Sequence, residues 1–237
     1  MIEEREVTVR VQKVKKNRIR MKLFFFAALA VLLLLATIFA KQLCPYDPYA
    51  QDLAQAMKPP SAAHLMGTDT YGRDMFSRVL IGAQTSISST FALVAIITIV
   101  GTIVGIFCGY YGGIVDSVMM RISDICLAFP GLVFAMAVAA ILSGGVQNAV
   151  IALALISWPK YSRIARSQTL SMKSLPYMHA SQLAGDSALQ MILRHVLPNI
   201  VGPILVTSML DIGTMMMEIA GLSFLGLGAL KQLAEWC

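Results

Sequence analysis

The apolar positions of this chain fall in long unbroken runs, without the strict alternation of a half-buried strand. Leu23–Ala40 is the first, residues 85–108 the second, and residues 118–142 the third, with Phe129-Pro130 interrupting it. A fourth begins near Ala149 and continues to Trp158-Pro159, and a fifth covers 200–227. Each is near the roughly 20 mainly apolar residues that a helix needs to cross hydrocarbon. The pattern predicts an all-α fold, a polytopic membrane helix bundle of about five transmembrane helices. Residues 1–22 read as a cytoplasmic tail, 23–40 as the first transmembrane helix and 41–84 as an external loop. Residues 85–237 form a membrane core carrying a polar cytoplasmic segment, 160–198. A cleaved secretory leader is the rival reading of the first run, but the charged stretch before it is long and no Ala-x-Ala site closes it. A small residue would be expected before Cys44 in a lipoprotein, and Leu43 stands there.

Composition agrees with the pattern. Hydrophobic residues make up 57% of the 237 and charged residues 14%, where a soluble domain carries about a quarter charged. The sign of the charge sets the orientation, because Lys and Arg beside spans favour the cytoplasmic side. Residues 1–22, 109–121 and 160–195 hold fourteen Lys/Arg, whereas 41–78 and 228–237 hold five. The N-terminus is therefore expected inside, the 41–84 loop outside, and the protein in a bacterial cytoplasmic membrane. The cysteines, Cys44, Cys108, Cys126 and Cys237, form no Cys-x-x-Cys pair, so neither a zinc site nor a disulfide framework is expected. His64, His179 and His195 lie far apart. Metal sites, cofactors and nucleic-acid partners are not expected.

Three segments carry more than span-forming character. Gly101, Gly105 and Gly109 recur every fourth residue, a spacing that lets two helix backbones approach closely in lipid. In the polar segment, Pro176 breaks the preceding helix, Tyr177–Ala184 suits two helical turns, and Gly185 supplies a reversal. Ser187-x-x-Gln190 fits a capping box opening a second helix, with Leu189, Ile192, Leu193 and Val196 as its apolar stripe and an end before Pro198. Such a helix–turn–helix either docks in a groove of a partner or lies on the lipid surface. In the fifth run, Asp211 and Glu218 are two helical turns apart with Met215 between them, so the three share one face. Acids inside a span usually face a partner or water. This face is a candidate translocation path for a cation. A structural hydrogen bond at the helix end is the competing role for Glu218.

The stretch Tyr177-Met-His-Ala-Ser-Gln-Leu-Ala-Gly185-Asp-Ser, with Arg194-His-Val-Leu-Pro-Asn199 downstream, resembles the EAA loop of binding-protein-dependent ABC transporter permeases. That resemblance implies a coupling helix seated on a separate ATP-binding subunit, with Tyr177, Ala180, Leu183, Gly185, Asp186, Leu197 and Pro198 as coupling residues. The usual Glu-Ala-Ala reads His179-Ala180-Ser181 here. His64-Leu-Met-Gly-Thr-Asp-Thr-Tyr-Gly-Arg-Asp-Met-Phe-Ser-Arg78 is similar to the segment before the second span in peptide and nickel permeases. It makes Asp69, Gly72, Arg73 and Asp74 a candidate external docking or gate site, with a plain structural elbow as the alternative. Glu218-Ile-Ala-Gly-Leu-Ser-Phe-Leu-Gly-Leu-Gly228 is similar to the end of the fifth span in that branch, and residues 210–216 look more like its nickel members. The family pattern continues beyond Glu235-Trp236 into a sixth span, which this sequence lacks.

The resemblance implies a permease subunit of an ATP-driven importer that forms the path for nickel or small peptides. Its partners would be a second permease, cytoplasmic ATP-binding subunits, an extracytoplasmic solute-binding protein and the bilayer. No phosphate-cradling Gly-x-x-x-x-Gly-Lys-[Ser/Thr] loop is present, so ATP hydrolysis is expected on another chain. No Gly-x-Ser-x-Gly or His-Glu-x-x-His run supports a membrane enzyme. A channel or sensor subunit, or a non-functional truncated permease, is the alternative.

Overall fold

The computed structural model describes residues 21–228. The 1–20 portion of the expected tail and the Glu-Trp end lie outside the described residues. The described chain is helical without strands: α1 (Met21–Ile38), α2 (Ala40–Leu43), α3 (Met75–Tyr111), α4 (Gly113–Ala128), α5 (Gly131–Ile141), α6 (Val146–Lys173), α7 (Pro176–Leu183), α8 (Ala188–Met191) and α9 (Leu197–Phe224), with a π turn at Ile192–Val196 joining the last two. It divides into two compact units, Met1–Gln84 and Thr85–Cys237, with α3 passing through the boundary.

In the first unit α1 is an 18-residue apolar helix with almost all its side chains exposed. The expected external loop ends earlier than its polarity suggests, because α3 starts at Met75, ten residues before the predicted span. The cause is local. Asp74 stands just before the helix, and its carboxylate accepts from the Ser77 backbone N–H at 2.8 Å, satisfying an orphan donor of the first turn.

In the second unit the glycine spacing has the predicted consequence. A Cβ placed on Gly101 would meet the Trp158 carbonyl at 2.5 Å, one on Gly105 would collide with the Ser162 carbonyl, and one on Gly109 would meet the Thr169 Cβ at 2.8 Å. Helix α3 thus lies backbone to backbone against α6, whose facing Ser162, Ala165 and Thr169 are fully buried. Helix α6 corrects the sequence reading twice. It does not end at Pro159 but continues to Lys173, so the first 14 residues of the polar 160–198 segment belong to α6 and the chain leaves that helix only at Ser174. Proline removes one backbone N–H and leaves the carbonyl four residues earlier without its usual partner. Here that carbonyl belongs to Leu155, and the Cys126 sulfur stands 4.0 Å from it, while neighbouring helices bury Pro159 itself. Packing therefore overrides the proline.

The third run is two helices with a break between them. Helices α4 and α5 meet at Phe129-Pro130 with a 93° bend. Asp116 at the start of α4 pairs with Arg166 near the end of α6, whereas α5 leads through Gly145 into the start of α6. The bent pair therefore traverses the unit from one end to the other. By length and apolarity alone three described helices can cross a membrane, or four with the bent pair counted as one. Helix α6 fails that test because of its polar residues, of which Ser162 and Thr169 are buried by neighbours while Lys160 and Arg163 stand about half-exposed. It nonetheless runs from the end where the Gly145 N–H meets the Leu227 carbonyl at 3.1 Å to the opposite end, where the Lys173 ammonium meets the Tyr110 carbonyl at 2.7 Å.

The close α3–α6 approach makes a specific demand. Gly105→Leu is expected to destabilise the folded chain by about 1–3 kcal/mol or more through overpacking. Gly202→Ala, at a helical site with nothing within 4 Å of the new Cβ, should leave stability unchanged or raise it by up to about 1 kcal/mol. Thermal unfolding in detergent checks both, and equal melting temperatures for the two variants would contradict this packing.

Candidate functional site: a helical elbow and a mid-helix ion pair

The segment after α6 folds into the predicted helix–turn–helix, and each turn has a local cause. Pro176 occupies the first turn of α7, where its missing N–H costs nothing and its fixed φ is already helical. Helix α7 closes in a paired turn: the Gly185 N–H donates to the Gln182 carbonyl at 3.1 Å and the Asp186 N–H to the Ser181 carbonyl at 3.2 Å, with Gly185 at φ +93°. This is the αL helix end that glycine favours. Ser187 then caps α8, and the reciprocal Gln190 bond completes the capping box. The Ser181 hydroxyl donates to the Asp186 carboxylate, and His195 Nε2 lies 3.2 Å from the same hydroxyl. That hydroxyl, assisted by Arg194 and His195, holds the Asp186 carboxyl below its ordinary range.

The second helix does not stop before Pro198. It continues through the π turn into α9. A wider turn there relieves the clash between the Pro198 ring and the carbonyl four residues earlier. Leu197 is half-buried and Pro198 exposed, so both belong to the root of α9 rather than to a free loop. The expected apolar stripe also divides. Ile192 and Val196 are buried with Met191 and Met178 in the core, while Leu189 and Leu193 stand outside. The outer pair borders an apolar groove of about 350 Å³ with Ile103, Phe107 and Val201. The Tyr110 hydroxyl donates to the Met191 sulfur at 3.3 Å, tying the elbow to α3. At its tip Leu183 is 91% exposed, and Tyr177, Ala180 and Gly185 are exposed beside it.

The structure revises the surroundings of Asp211. Asp211 and Met215 are buried on one face of α9, with Glu218 half-buried beyond them. The α9 sequence suggests few partners for Asp211, yet both its oxygens are engaged. Lys160 Nζ lies 2.6 Å from Oδ1, and the Tyr161 hydroxyl donates to Oδ2 at 2.9 Å. By sequence position Lys160 counts with the cytoplasmic loop. The extension of α6 moves it to mid-helix, and the other thirteen Lys/Arg still outnumber the five on the opposite side. The polarity of 160–166 hides this residue, and no spacing rule links positions 51 apart.

In the first unit, Asp69, Gly72, Arg73 and Asp74 come together, turned inward. Asp69 accepts from the Tyr71 and Arg73 backbones and pairs with Arg73 Nε at 2.7 Å. Asp74 also pairs with His64 Nδ1 at 2.9 Å, and His64 Nε2 lies 3.0 Å from Gln55 Oε1. Gly72 sits at φ +73°, and a Cβ there would strike the Asp52 carbonyl. Arg73 and Asp74 are buried. The geometry is that of a structural elbow fixing the loop that leads into α3.

Residues 101–236 match the family of binding-protein-dependent transport system inner membrane components. The chain belongs to this family. A probable D,D-dipeptide transport system permease protein, DdpC, of Escherichia coli strain K12 is 44% identical over 210 residues, covering 89% of this permease and 70% of that protein. The glutathione transport system permease protein GsiD of Pectobacterium atrosepticum is 41% identical over 212 residues, with the same two shares. A solved structure of the MetNI methionine ABC transporter in an inward-facing conformation has a chain with the same fold. The TM-score is 0.55 at 18% identity, over 67% of this permease and 79% of that chain. The permease is thus a multi-pass inner-membrane translocation subunit of an ABC importer, a system that includes an ATPase and a substrate-binding protein. Neither relative is named for nickel, so the nickel-like character of residues 210–216 gains no support from them.

The loop carboxylates give a pH prediction. Burial works to raise the Asp69 and Asp74 carboxyls, but hydrogen bonds to Asp69 from Arg73 and Tyr71, and to Asp74 from Ser77 and His64, outweigh it, so both lie below the ordinary range. A depressed folded value stabilises the fold fully above the unfolded value of about 3.9 and loses that contribution as pH falls through the folded one. Hydrogen exchange in residues 41–74, corrected for its intrinsic pH dependence, should accelerate below about pH 4. The Asp69→Asn/Asp74→Asn variant should exchange fast at every pH. Wild-type protection unchanged at about pH 2, well below the ordinary carboxylate range, would refute the assignment.

Proposed function

We propose that this permease carries small peptides and couples to its ATP-binding subunit through the α7–Gly185–α8 elbow. The observation that supports the coupling site most is the combination of a rigidly built turn with an exposed apolar tip. The caps and the buried Met178, Met191 and Ile192 fix the elbow's position, while Leu183 is left without cover. An apolar anchor on a preorganised support is what a docking contact requires. Asp186, Leu197 and Pro198 act in this reading as framework, and Tyr177 and Ala180 as contact residues. The relatives named for a D,D-dipeptide and for glutathione support peptide cargo. A second permease would complete the path, since one chain encloses little volume in lipid. The charge distribution supports a cytoplasmic N-terminus and an external 41–74 loop.

Gly185→Val tests the coupling site, because a β-branched residue is strained at φ +93°. In the assembled transporter we expect loss of ATPase subunit from the purified complex, or ATP hydrolysis uncoupled from uptake. Gly185→Asn, which tolerates the αL region, should retain more than half of both. Wild-type assembly and uptake in Gly185→Val would contradict the coupling role. For orientation, a cysteine at Thr70 should react with an impermeant thiol reagent added outside and one at Ser174 should not. The reverse labelling would overturn it.

A further inference from the structure

A charged group in the middle of a membrane helix is costly unless it is paired or faces water. Lys160 is the fifteenth of the 28 residues of α6, and Asp211 the fifteenth of the 28 of α9. The two helices run in opposite directions, so the pair lies about 20 Å from either end at 1.5 Å per residue. Its two members differ in surroundings. The Asp211 side chain is 6% exposed, whereas that of Lys160 is 50% exposed. Asp211 spends one oxygen on Lys160 and the other on Tyr161, which is itself fully buried. An ammonium carries three N–H donors, and Asp211 takes one. What this level of the bundle presents outward is therefore the half-exposed ammonium of an ion pair, not the acidic, cation-attracting face expected from Asp211 and Met215. Glu218 is the remaining ionisable group on that face of α9, two turns or about 10 Å along the axis. The ion pair of Asp211 with Lys160 is the one that anchors this face among the described residues.

Half-exposed donors at this depth do not suit hydrocarbon, so they must face the path or a partner that lines it. We propose that Lys160 is a cargo-binding residue that receives the carboxylate of the transported peptide, with Asp211 and Tyr161 as positioning residues that hold its ammonium at mid-depth. The peptide cargo proposed above is the premise here: a free peptide bears at least one carboxylate, and a Lys ammonium binds it as a point charge.

The test uses the complete transporter, with its partner permease, ATPase and binding protein, in proteoliposomes and in a background without other reactive cysteines. Lys160→Cys is treated with a water-soluble aminoethyl methanethiosulfonate, which restores an ammonium, or with the methyl reagent, which restores only bulk. Uptake of labelled peptide should fall at least about tenfold in the untreated variant, the scale of one lost charge-assisted hydrogen bond. The ammonium adduct should recover most of it and the methyl adduct should not. KM for the loaded binding protein should rise more than kcat falls. Since Lys160→Cys also leaves Asp211 unpaired, Lys160→Gln/Asp211→Asn replaces the pair by two neutral amides that can still hydrogen-bond each other. That double variant should assemble and hydrolyse ATP yet remain about tenfold impaired in uptake. Three results would overturn the assignment: a Lys160→Cys thiol that does not react in the assembled complex, equal recovery with both adducts, or wild-type uptake by the double variant. Failure of the unmodified transporter to move any peptide would instead refute the cargo reading, leaving a distinct signature.

Discussion

Everything in the second unit depends on the backbone contact between α3 and α6. Lipid tails are as apolar as leucine, so helices in a membrane gain little by hiding apolar surface from one another. They gain by close packing, and here Gly101, Gly105 and Gly109 let α3 approach until a single methyl group would collide with α6. That contact covers Ser162, Ala165 and Thr169 and frees α6 from having to be apolar. Helix α6 keeps Pro159 within its run, holds Lys160 at mid-helix and carries two arginines to the α4 carboxylates. Thirteen residues of unbroken helix then connect Lys160 to Lys173, at the threshold of the elbow.

The features readable in the sequence are those with a local cause. The glycine spacing, Pro176, Gly185 and the Ser187–Gln190 box each act within a turn or two, and each has the structural consequence its chemistry demands. The features that escape are those in which neighbours outvote local preference. Pro159 reads as a breaker because isolated helices break at proline, yet a fully packed proline is tolerated. The polar 160–173 stretch reads as a loop because hydropathy assumes that lipid surrounds each span. The early start of α3 is hidden by the polarity of Asp74–Arg78, which is the signature of a cap. The partners of Asp211 come from a helix about 50 residues away, and no short-range spacing rule connects them. Spacing groups Leu189 and Leu193 with Ile192 and Val196 in one stripe, but only the latter two reach the core and the leucines stand on the groove.

The elbow and the ion pair are two ends of one rigid element under this reading. ATP-driven work enters where α7 and α8 are held by their own caps and by the Tyr110–Met191 bond to the end of α3. Cargo is met where α6 presents its ammonium about 20 Å away. The buried charges of the 44–74 loop have a simpler part. Asp69 pairs with Arg73, and Asp74 with His64 and the first turn of α3, which fixes the loop where it enters that helix.

The central claim is that the exposed tip of the elbow meets the ATP-binding subunit. The most direct measurement is photo-cross-linking from single cysteines carrying a benzophenone maleimide in the active, assembled transporter. Leu183 and Ile141 are both more than four-fifths exposed, but Ile141 lies by the Gly145 end of α6 and Leu183 by the opposite end. Leu183→Cys should yield an adduct with the ATP-binding subunit and Ile141→Cys none. An active complex in which position 141 captures that subunit and position 183 does not would contradict the account.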